Sequence, residues 1–536
     1  MTRAWRALWF ALAVALLLRL PALRYGVLSD DEAIYHAMAA ELRAGGVMYQ
    51  TTVDHKPPGL AYTYAVTEGL AVALGGTAEG LGMAFVHLLG ALFAAGTCLS
   101  LWGIARRVLA EPLWVYPPLL YAVVSTALQP VDGLAVNGEL LMNLPLALGL
   151  WAALEGSARA GWKRAGFDLL AGVLCGAAAL YKYQAAIAVL SLPLLCWPLS
   201  SWQRLRSAVQ RNLLWAAGSL LPFALVAAFF HAHGALADAI RWGLRFNSSY
   251  IAEGAGLVWA LGRLAPQLLG VVLPGAVLFV GGAVALVALV RGLLSRSAAA
   301  PPPGAAPAAP SSTRARAGQG DVVSAQPWLA AFALGSIAAV CVGGRFFGHY
   351  FLQAEVPLAL LAAGPASRLG TRKLALGLGV PAAVFAAIAL LPGLTQPIFN
   401  AEDPDYRAIG RAIEARTAPD DTIWVWGNVP QLYYSSARKP GVRFTFCNYL
   451  TGLSPATPSE RLDAVDPRKA EVAWAWPLVL QDLERNRPAL VLDTAAAGFK
   501  SYAKFPVARY PLLADYLSIH YQLEAPIGAV AVWRRR

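Results

Sequence analysis

The sequence predicts an α-helical polytopic membrane protein with a small C-terminal α/β domain, and three observations carry that reading. The 536 residues are 57% hydrophobic and only 14% charged, whereas soluble domains carry about 25% charged residues. Mean hydropathy is +0.52, and the apolar residues gather into runs of about 17–25, the length at which a helix crosses a bilayer. Beyond about residue 393 these runs stop, and short β-rich segments alternate with helical ones. The alternating strands of an outer-membrane barrel do not appear.

The apolar runs define about eleven spans, at roughly 7–25, 81–103, 112–128, 139–155, 167–181, 185–199, 212–231, 262–290, 327–343, 351–366 and 374–392. The first follows Arg3 and Arg6 as a signal peptide would. No small-x-small cleavage site comes after it; Pro21, Arg24 and Tyr25 stand there instead, so an uncleaved anchor is expected.

The net charge of +12 is distributed in short breaks between hydrophobic runs. That is the positive-inside pattern and argues against nucleic acid as a partner. Arg3/Arg6, Arg106/Arg107, Arg159/Lys163/Arg164, Arg204/Arg206/Arg211, Arg291/Arg296/Arg314/Arg316 and Arg368/Arg372/Lys373 occupy every second gap. Those gaps are expected in the cytoplasm, with the N-terminus. Arg19, Arg24 and Arg263 fit less well and are expected to snorkel or to face the bundle. The five cysteines form no CxxC pair, so neither a zinc site nor a disulfide framework is indicated.

The remaining gaps face outward. They hold Asp30, Asp31 and Glu32, then Asp54–Lys56, Asp132, Glu139, Lys182, a stretch around Arg245, and Arg345, His349 and Tyr350. Residues 33–45 carry an apolar stripe stopped by Gly45-Gly46, and residues 58–80 are apolar but contain Glu68 and several glycines. Both are expected to be interfacial helices in an outer loop over 26–80. The Pro- and Ala-rich stretch 297–326 reads as a disordered cytoplasmic linker. The division expected is a transmembrane catalytic domain over 1–392 and an outer α/β domain over 393–536. The latter has a helix at 405–418 and strands at 422–427, 488–493 and 527–533.

Acids at a membrane boundary are costly and mark function. Asp31 and Glu32 open a helix, whose N-terminal dipole favours anions. Asp30 or Asp31 would also serve simply as a cap, but three adjacent acids exceed what a cap needs. A carboxylate there suits a general base on an acceptor hydroxyl. Lys56 precedes Pro57-Pro58, which fix its backbone. Lys56, Lys182, Arg345 and His349 are cations or donors suited to a leaving phosphate, with membrane snorkelling as the plainer alternative. No GxxxxGK[ST] loop, no GxGxxG after a strand and no HExxH are present. A lipid-anchored phosphate donor fits an outward site without a nucleotide fold. The acids leave room for a divalent metal, but no ligand spacing demands one.

The run Asp31-Glu32-Ala33-Ile34-Tyr35, then Leu42 to Gly46, then Lys56-Pro57-Pro58-Gly59, resembles the start of GT-C membrane glycosyltransferases of family 39. These are the protein O-mannosyltransferases and lipid A aminoarabinose transferases. The resemblance continues through Glu139, Lys182 and Tyr350, and the tail, with Trp424-Val425-Trp426-Gly427 and Tyr433-Tyr434, resembles the outer domain of bacterial members. It implies inverting transfer from a polyprenyl-phosphate sugar, undecaprenyl in bacteria. Asp31 would be the catalytic carboxylate with Glu32 its motif neighbour, Lys56 would hold the lipid phosphate, Glu139 would be the second acid, and Lys182 and Tyr350 would line the donor cavity. Asp30 adds a third acid, so the choice between Asp30 and Asp31 stays open, and Asp132 competes with Glu139. β-Trefoil inserts are absent, which points to a bacterial cell-envelope enzyme of the inner membrane with its C-terminal domain in the periplasm. The acceptor would be a lipid, a glycan or a protein. The alternative reading, a polyprenyl-lipid flippase or transporter, would call for internal repeats and mid-membrane charges; no convincing repeat is visible.

Overall fold

The computed structural model describes residues 3–126, 130–197, 199, 201–246, 257–298, 327–390, 406–452 and 472–536. The linker expected over 297–326 lies, from 299 on, outside the described residues, as do 247–256, 391–405 and 453–471. Two compact units emerge. The first comprises Met1–Pro21, Leu89–Val226 and Leu261–Leu391; the second comprises Ala22–Leu88, Ala227–Ala260 and Pro392–Arg536.

Among the described residues seven helices are long and apolar enough to cross a membrane: Trp5–Arg24, Ala78–Val108, Asp132–Ser157, Trp202–Ala232, Ala276–Ser295, Pro327–Gly344 and Gly370–Leu390. The other expected spans are also helical, but each is shortened or charged. Leu113–Val124 and Tyr183–Cys196 are short, Gly161–Ala179 carries Lys163, Arg164 and Asp168, and Leu352–Arg368 carries Glu355. The run expected over 262–290 is not one helix. Leu257–Gln267 passes through a π turn at Leu268–Val272 before Ala276–Ala298 begins. Pro274 and Gly275 sit at the break, and a proline there removes a helical N–H and clashes with the preceding turn.

Small residues set the packing of the first unit. A Cβ on Gly172 would lie 2.3 Å from the Trp215 carbonyl, and one on Gly176 would lie 2.3 Å from that of Ser219. Helices Gly161–Ala179 and Trp202–Ala232 thus touch backbone to backbone through a small-xxx-small face. Arg19 faces the bundle, as one of its two expected placements had it. It is buried, and its guanidinium donates to the Ser125 carbonyl at 3.1 Å.

In the second unit Gly59–Ala73 is a helix of 15 residues, about 22 Å long at the α-helical rise and too short to span. The preceding helix, Asp30–Arg43, is stopped by Gly45 at φ +91°, a conformation glycine adopts without strain.

The tail folds as a five-stranded sheet: β1 (Thr422–Trp426), β2 (Lys439–Pro440), β3 (Leu490–Asp493), β4 (Tyr521–Ile527) and β5 (Val530–Arg535), in the order β2-β1-β3-β5-β4. β1 runs parallel to β2 and β3, while β5 is antiparallel to β3 and β4. The strand expected at 527–533 is therefore corrected to a hairpin. Ile527 pairs with Val530, and Gly528, at φ +59°, opens the two-residue turn between them. Ile423, Val425, Leu490, Leu492, Val530 and Val532 form the sheet core with Ile409, Ile413, Leu432 and Tyr433. Ala37 of the Asp30–Arg43 helix belongs to the same cluster, so the acid-bearing helix is part of the tail's core.

Candidate active site

The expected site residues fall into two clusters, one in each unit. In the second unit the Asp30–Arg43 helix is capped by Ser29, whose side chain accepts from the Glu32 amide at 3.2 Å. The cap is thus serine, and Asp30 and Asp31 keep their carboxylates for other partners. The Asp31 carboxylate accepts from Lys56 Nζ at 2.9 Å. Asp30 meets the Gln431 side-chain amide and, at 3.4 Å, Lys500 Nζ, both from the tail. Glu32 is fully buried. It accepts from the Leu28 amide at 2.6 Å and lies 3.2 Å from His87 Nε2, so it locks the start of the helix.

Lys56 is held on several sides. Besides Asp31 it faces Asp54 Oδ2 at 3.7 Å and lies over the Tyr35 ring at 5.0 Å, while its own carbonyl accepts from the Tyr49 hydroxyl at 2.8 Å. Burial alone would lower the lysine's pKa, yet Asp31 and Asp54 hold it well above the ordinary value. Burial likewise opposes ionisation of Asp54, but Lys56, His55 and Tyr449 hold its carboxyl well below the usual carboxylate range. The lysine is a cation and Asp54 an anion at any physiological pH.

Elsewhere on the Asp30–Arg43 helix, burial would push the His36 imidazole down, but Glu68, 3.0 Å away, and Glu79 lift it from 6.5 to about 9. Arg43 also pairs with Glu68, so Glu68 sits between two cations. Arg245 is exposed at the end of the Ala239–Arg245 turn, one residue before Phe246.

In the first unit Glu139 Oε1 pairs with Lys182 Nζ at 2.6 Å, and Lys182 lies over the Tyr350 ring at 4.6 Å. A Cβ on Gly138 would lie 2.8 Å from the Tyr181 carbonyl, so the glycine lets the Glu139 helix start against the lysine's loop. His349 Nδ1 lies 2.7 Å from Asp132 Oδ1, and its ring stacks on Phe347 at 5.7 Å and meets Tyr350 edge-on at 5.1 Å. Glu139 and Asp132 thus have different partners, lysine for one and histidine for the other. Arg345 is buried, and its carbonyl accepts from Arg263 Nε at 3.3 Å. Among the described residues no three His, Cys, Asp or Glu side chains converge to hold a metal ion.

Sequence reasoning did not single out Tyr449, Gln431 or Lys500. Tyr449 and Asp54 are 395 residues apart, and no spacing rule reaches across that separation. Asp54 and His55 were visible as neighbours of Lys56, and the polar Asp54-His55 pair before a proline-fixed lysine was the available signal.

No family model matches the chain, and no curated protein sequence matches it. Solved structures do. The crystal structure of ArnT from Cupriavidus metallidurans bound to undecaprenyl phosphate aligns with a TM-score of 0.54 at 15% identity, covering 98% of this chain and 97% of that one. The apo form of the same protein aligns at 0.55 and 15% identity, covering 98% and 96%. The Archaeoglobus fulgidus oligosaccharyltransferase tethered to an acceptor peptide containing the NVT sequon aligns at 0.51 and 12% identity, covering 99% of this chain and 74% of that one. The chain therefore has the fold of the GT-C membrane glycosyltransferases, with membrane-crossing helices and a small C-terminal sheet.

Proposed function

We propose that the protein is an inverting glycosyltransferase. It would take a sugar from a polyprenyl-phosphate donor, undecaprenyl phosphate in a bacterium, and transfer it to a hydroxyl of a lipid, glycan or protein at the periplasmic face of the inner membrane. The observation that carries this reading is the partly exposed Asp31–Lys56 pair, 2.9 Å apart, on a chain with the GT-C fold. A carboxylate that accepts a proton beside a cation that accepts a phosphate is the minimum such a transfer needs.

In this mechanism the acceptor hydroxyl gives its proton to Asp31 as its oxygen bonds to the anomeric carbon from the face opposite the phosphate. The bond from that carbon to the phosphate oxygen breaks, and the electron pair leaves with the polyprenyl phosphate. Lys56 meets the added charge. Before the donor arrives Lys56 neutralises Asp31; a phosphate competes for the lysine and frees the carboxylate. Asp30 stands second as base, because Gln431 and Lys500 engage it. Glu32 serves the helix start through Leu28 and His87.

Asp31→Asn is expected to lower transfer by about 10²–10⁴-fold, the range for a lost general base, in membranes supplied with undecaprenyl-phosphate-linked sugar. The variant should still insert and unfold at the wild-type temperature. Undiminished transfer by this variant would overturn the mechanism. Mass spectrometry of lipids and surface glycans from a deletion strain would identify the sugar and the acceptor.

A further inference from the structure

The cation of the candidate site is framed by a segment of the tail almost four hundred residues away, and one hydroxyl makes the decisive contact. Tyr449 donates to Asp54 Oδ1 at 2.8 Å, and its oxygen accepts from the His55 amide at 3.1 Å and lies 2.9 Å from His55 Nδ1. The His55 amide also reaches Asp54 Oδ1, at 2.6 Å. The contacts that Asp54 receives from Tyr449 and His55 thus fall on one carboxylate oxygen. The other, Oδ2, makes no hydrogen bond among the described residues and has Lys56 Nζ at 3.7 Å. Tyr449 thus divides the two oxygens of Asp54, anchoring one and leaving the second at a loose distance from the lysine.

The tyrosine is itself immobilised. Its ring packs against Phe246 at 5.0 Å, Trp242 edge-on at 5.7 Å and Phe444 at 6.1 Å. The segment that carries it is tied down twice. The Arg443 carbonyl accepts from the Val53 amide at 2.9 Å, and the Arg443 guanidinium grips Asp482 at 2.7 and 2.8 Å. A side chain packed this way fixes the residue it touches more precisely than a mobile loop would.

We propose that Tyr449 is a positioning residue that sets Lys56 for an anionic phosphate by holding Asp54 back from a close ion pair with it. The proposal rests on the reading of Lys56 as the phosphate ligand. With the hydroxyl in place, Asp54 Oδ1 shares its charge with Tyr449 and His55, and the lysine keeps a weak second partner that a phosphate displaces. Without it, Asp54 is free to turn both oxygens toward Lys56. A tight carboxylate–ammonium pair then competes with the phosphate, because charge-assisted contacts are the strong ones. Burial and the neighbouring Asp54 both raise the Tyr449 phenol well above its usual pKa, so it remains a donor throughout the working range.

The test uses the full-length protein in detergent or nanodiscs with undecaprenyl phosphate as the probe, its binding measured directly and without reference to sugar transfer. Lys56→Gln, Tyr449→Phe, Asp54→Asn and the double variant Asp54→Asn/Tyr449→Phe are compared. Tyr449→Phe is expected to weaken binding of undecaprenyl phosphate about tenfold, a typical effect for one charged hydrogen bond, with little change in thermal unfolding. In the Asp54→Asn background, removing the hydroxyl should change binding less than twofold, because its route to Lys56 runs through the Asp54 charge. Equal losses from Tyr449→Phe in both backgrounds would mean that the hydroxyl acts by another path, and would overturn the proposal, as would unchanged binding in the single variant. Undecaprenyl phosphate binding unaffected by Lys56→Gln would instead overturn the reading of Lys56. Should Tyr449→Phe fold poorly, Asp54→Glu gives the same test from the other side: a longer carboxylate reaching Lys56 should weaken binding, and unchanged binding would refute the idea.

Discussion

The same small arrangement occurs once in each unit, in different surroundings. Asp31 is the second residue of the Asp30–Arg43 helix, and Glu139 is the second residue of the Gly138–Ser157 helix. A lysine from a loop meets each carboxylate, Lys56 at 2.9 Å and Lys182 at 2.6 Å, and each lysine lies over a tyrosine ring, that of Tyr35 or Tyr350. The second helix position explains the acids, since the N-terminal dipole stabilises an anion there. Exposure separates the pairs. The side chains of Asp31 and Lys56 are 30% and 21% exposed, those of Glu139 and Lys182 only 2% and 13%. Lys56 also has a second acid, Asp54, whereas among the described residues Lys182 pairs with Glu139 alone. A partly exposed, doubly matched lysine exchanges one partner for a ligand at modest cost. A buried single pair loses either member only by leaving an uncompensated charge. The first pair is built to react and the second to hold.

The largest expected effect tests that distinction at Lys56. Lys56→Gln should lower transfer by about 10²–10³-fold, the usual cost of one transition-state donor, while shifting the unfolding midpoint in detergent only slightly. For Glu139→Gln and Lys182→Met the balance should reverse, with a loss of about 3–5 kcal/mol of stability for either single change and recovery of most of it in a Glu139→Leu/Lys182→Met double variant. Denaturant or thermal unfolding of the purified protein decides; a Glu139→Gln variant as stable as wild type would remove the contrast.

A smaller effect concerns His36. Its pKa is raised in the folded state from 6.5 to about 9, so its contribution is fully present below pH 6.5 and is lost as pH rises from there through about 9. The upper bound is about 3 kcal/mol at 1.36 kcal/mol per unit. Unfolding midpoints measured from pH 6 to 9.5 should fall for the wild type and fall less for His36→Gln; parallel curves would refute the assignment. Smallest should be Gln431→Ala, which removes one hydrogen bond to the partly exposed Asp30 and should cost about 1 kcal/mol with transfer changed no more than a few-fold. A loss as deep as that of Asp31→Asn would move the base to Asp30.

Much of this was readable from residues alone. The Asp31-Glu32 pair, the proline-fixed Lys56 and Lys182 were named from local chemistry, and Glu139 and Tyr350 from their place in the outward gaps and the family resemblance; the helices follow the apolar runs except over 262–290, where the run is broken before Ala276. What escaped was partnership. Glu32 directly follows two partly exposed acids in the sequence, yet its carboxylate is buried against Leu28 and His87. The hairpin of β4 and β5 escaped because the single strand expected over 527–533 ran through Gly528, which instead opens the turn.

Hydropathy runs, loop charges and short motifs are properties of neighbouring residues, and they suffice to specify a membrane-crossing helical protein with an acidic, lysine-bearing loop and an α/β tail. Which acid meets which partner depends on contacts between residues from 25 to some four hundred positions apart. Only the folded chain joins Asp31 to Lys56, hands Asp30 to Gln431 and Lys500, and brings Tyr449 to Asp54. Hydrogen bonds act over about 3 Å, and sequence order carries no record of such distances once the chain has turned back on itself.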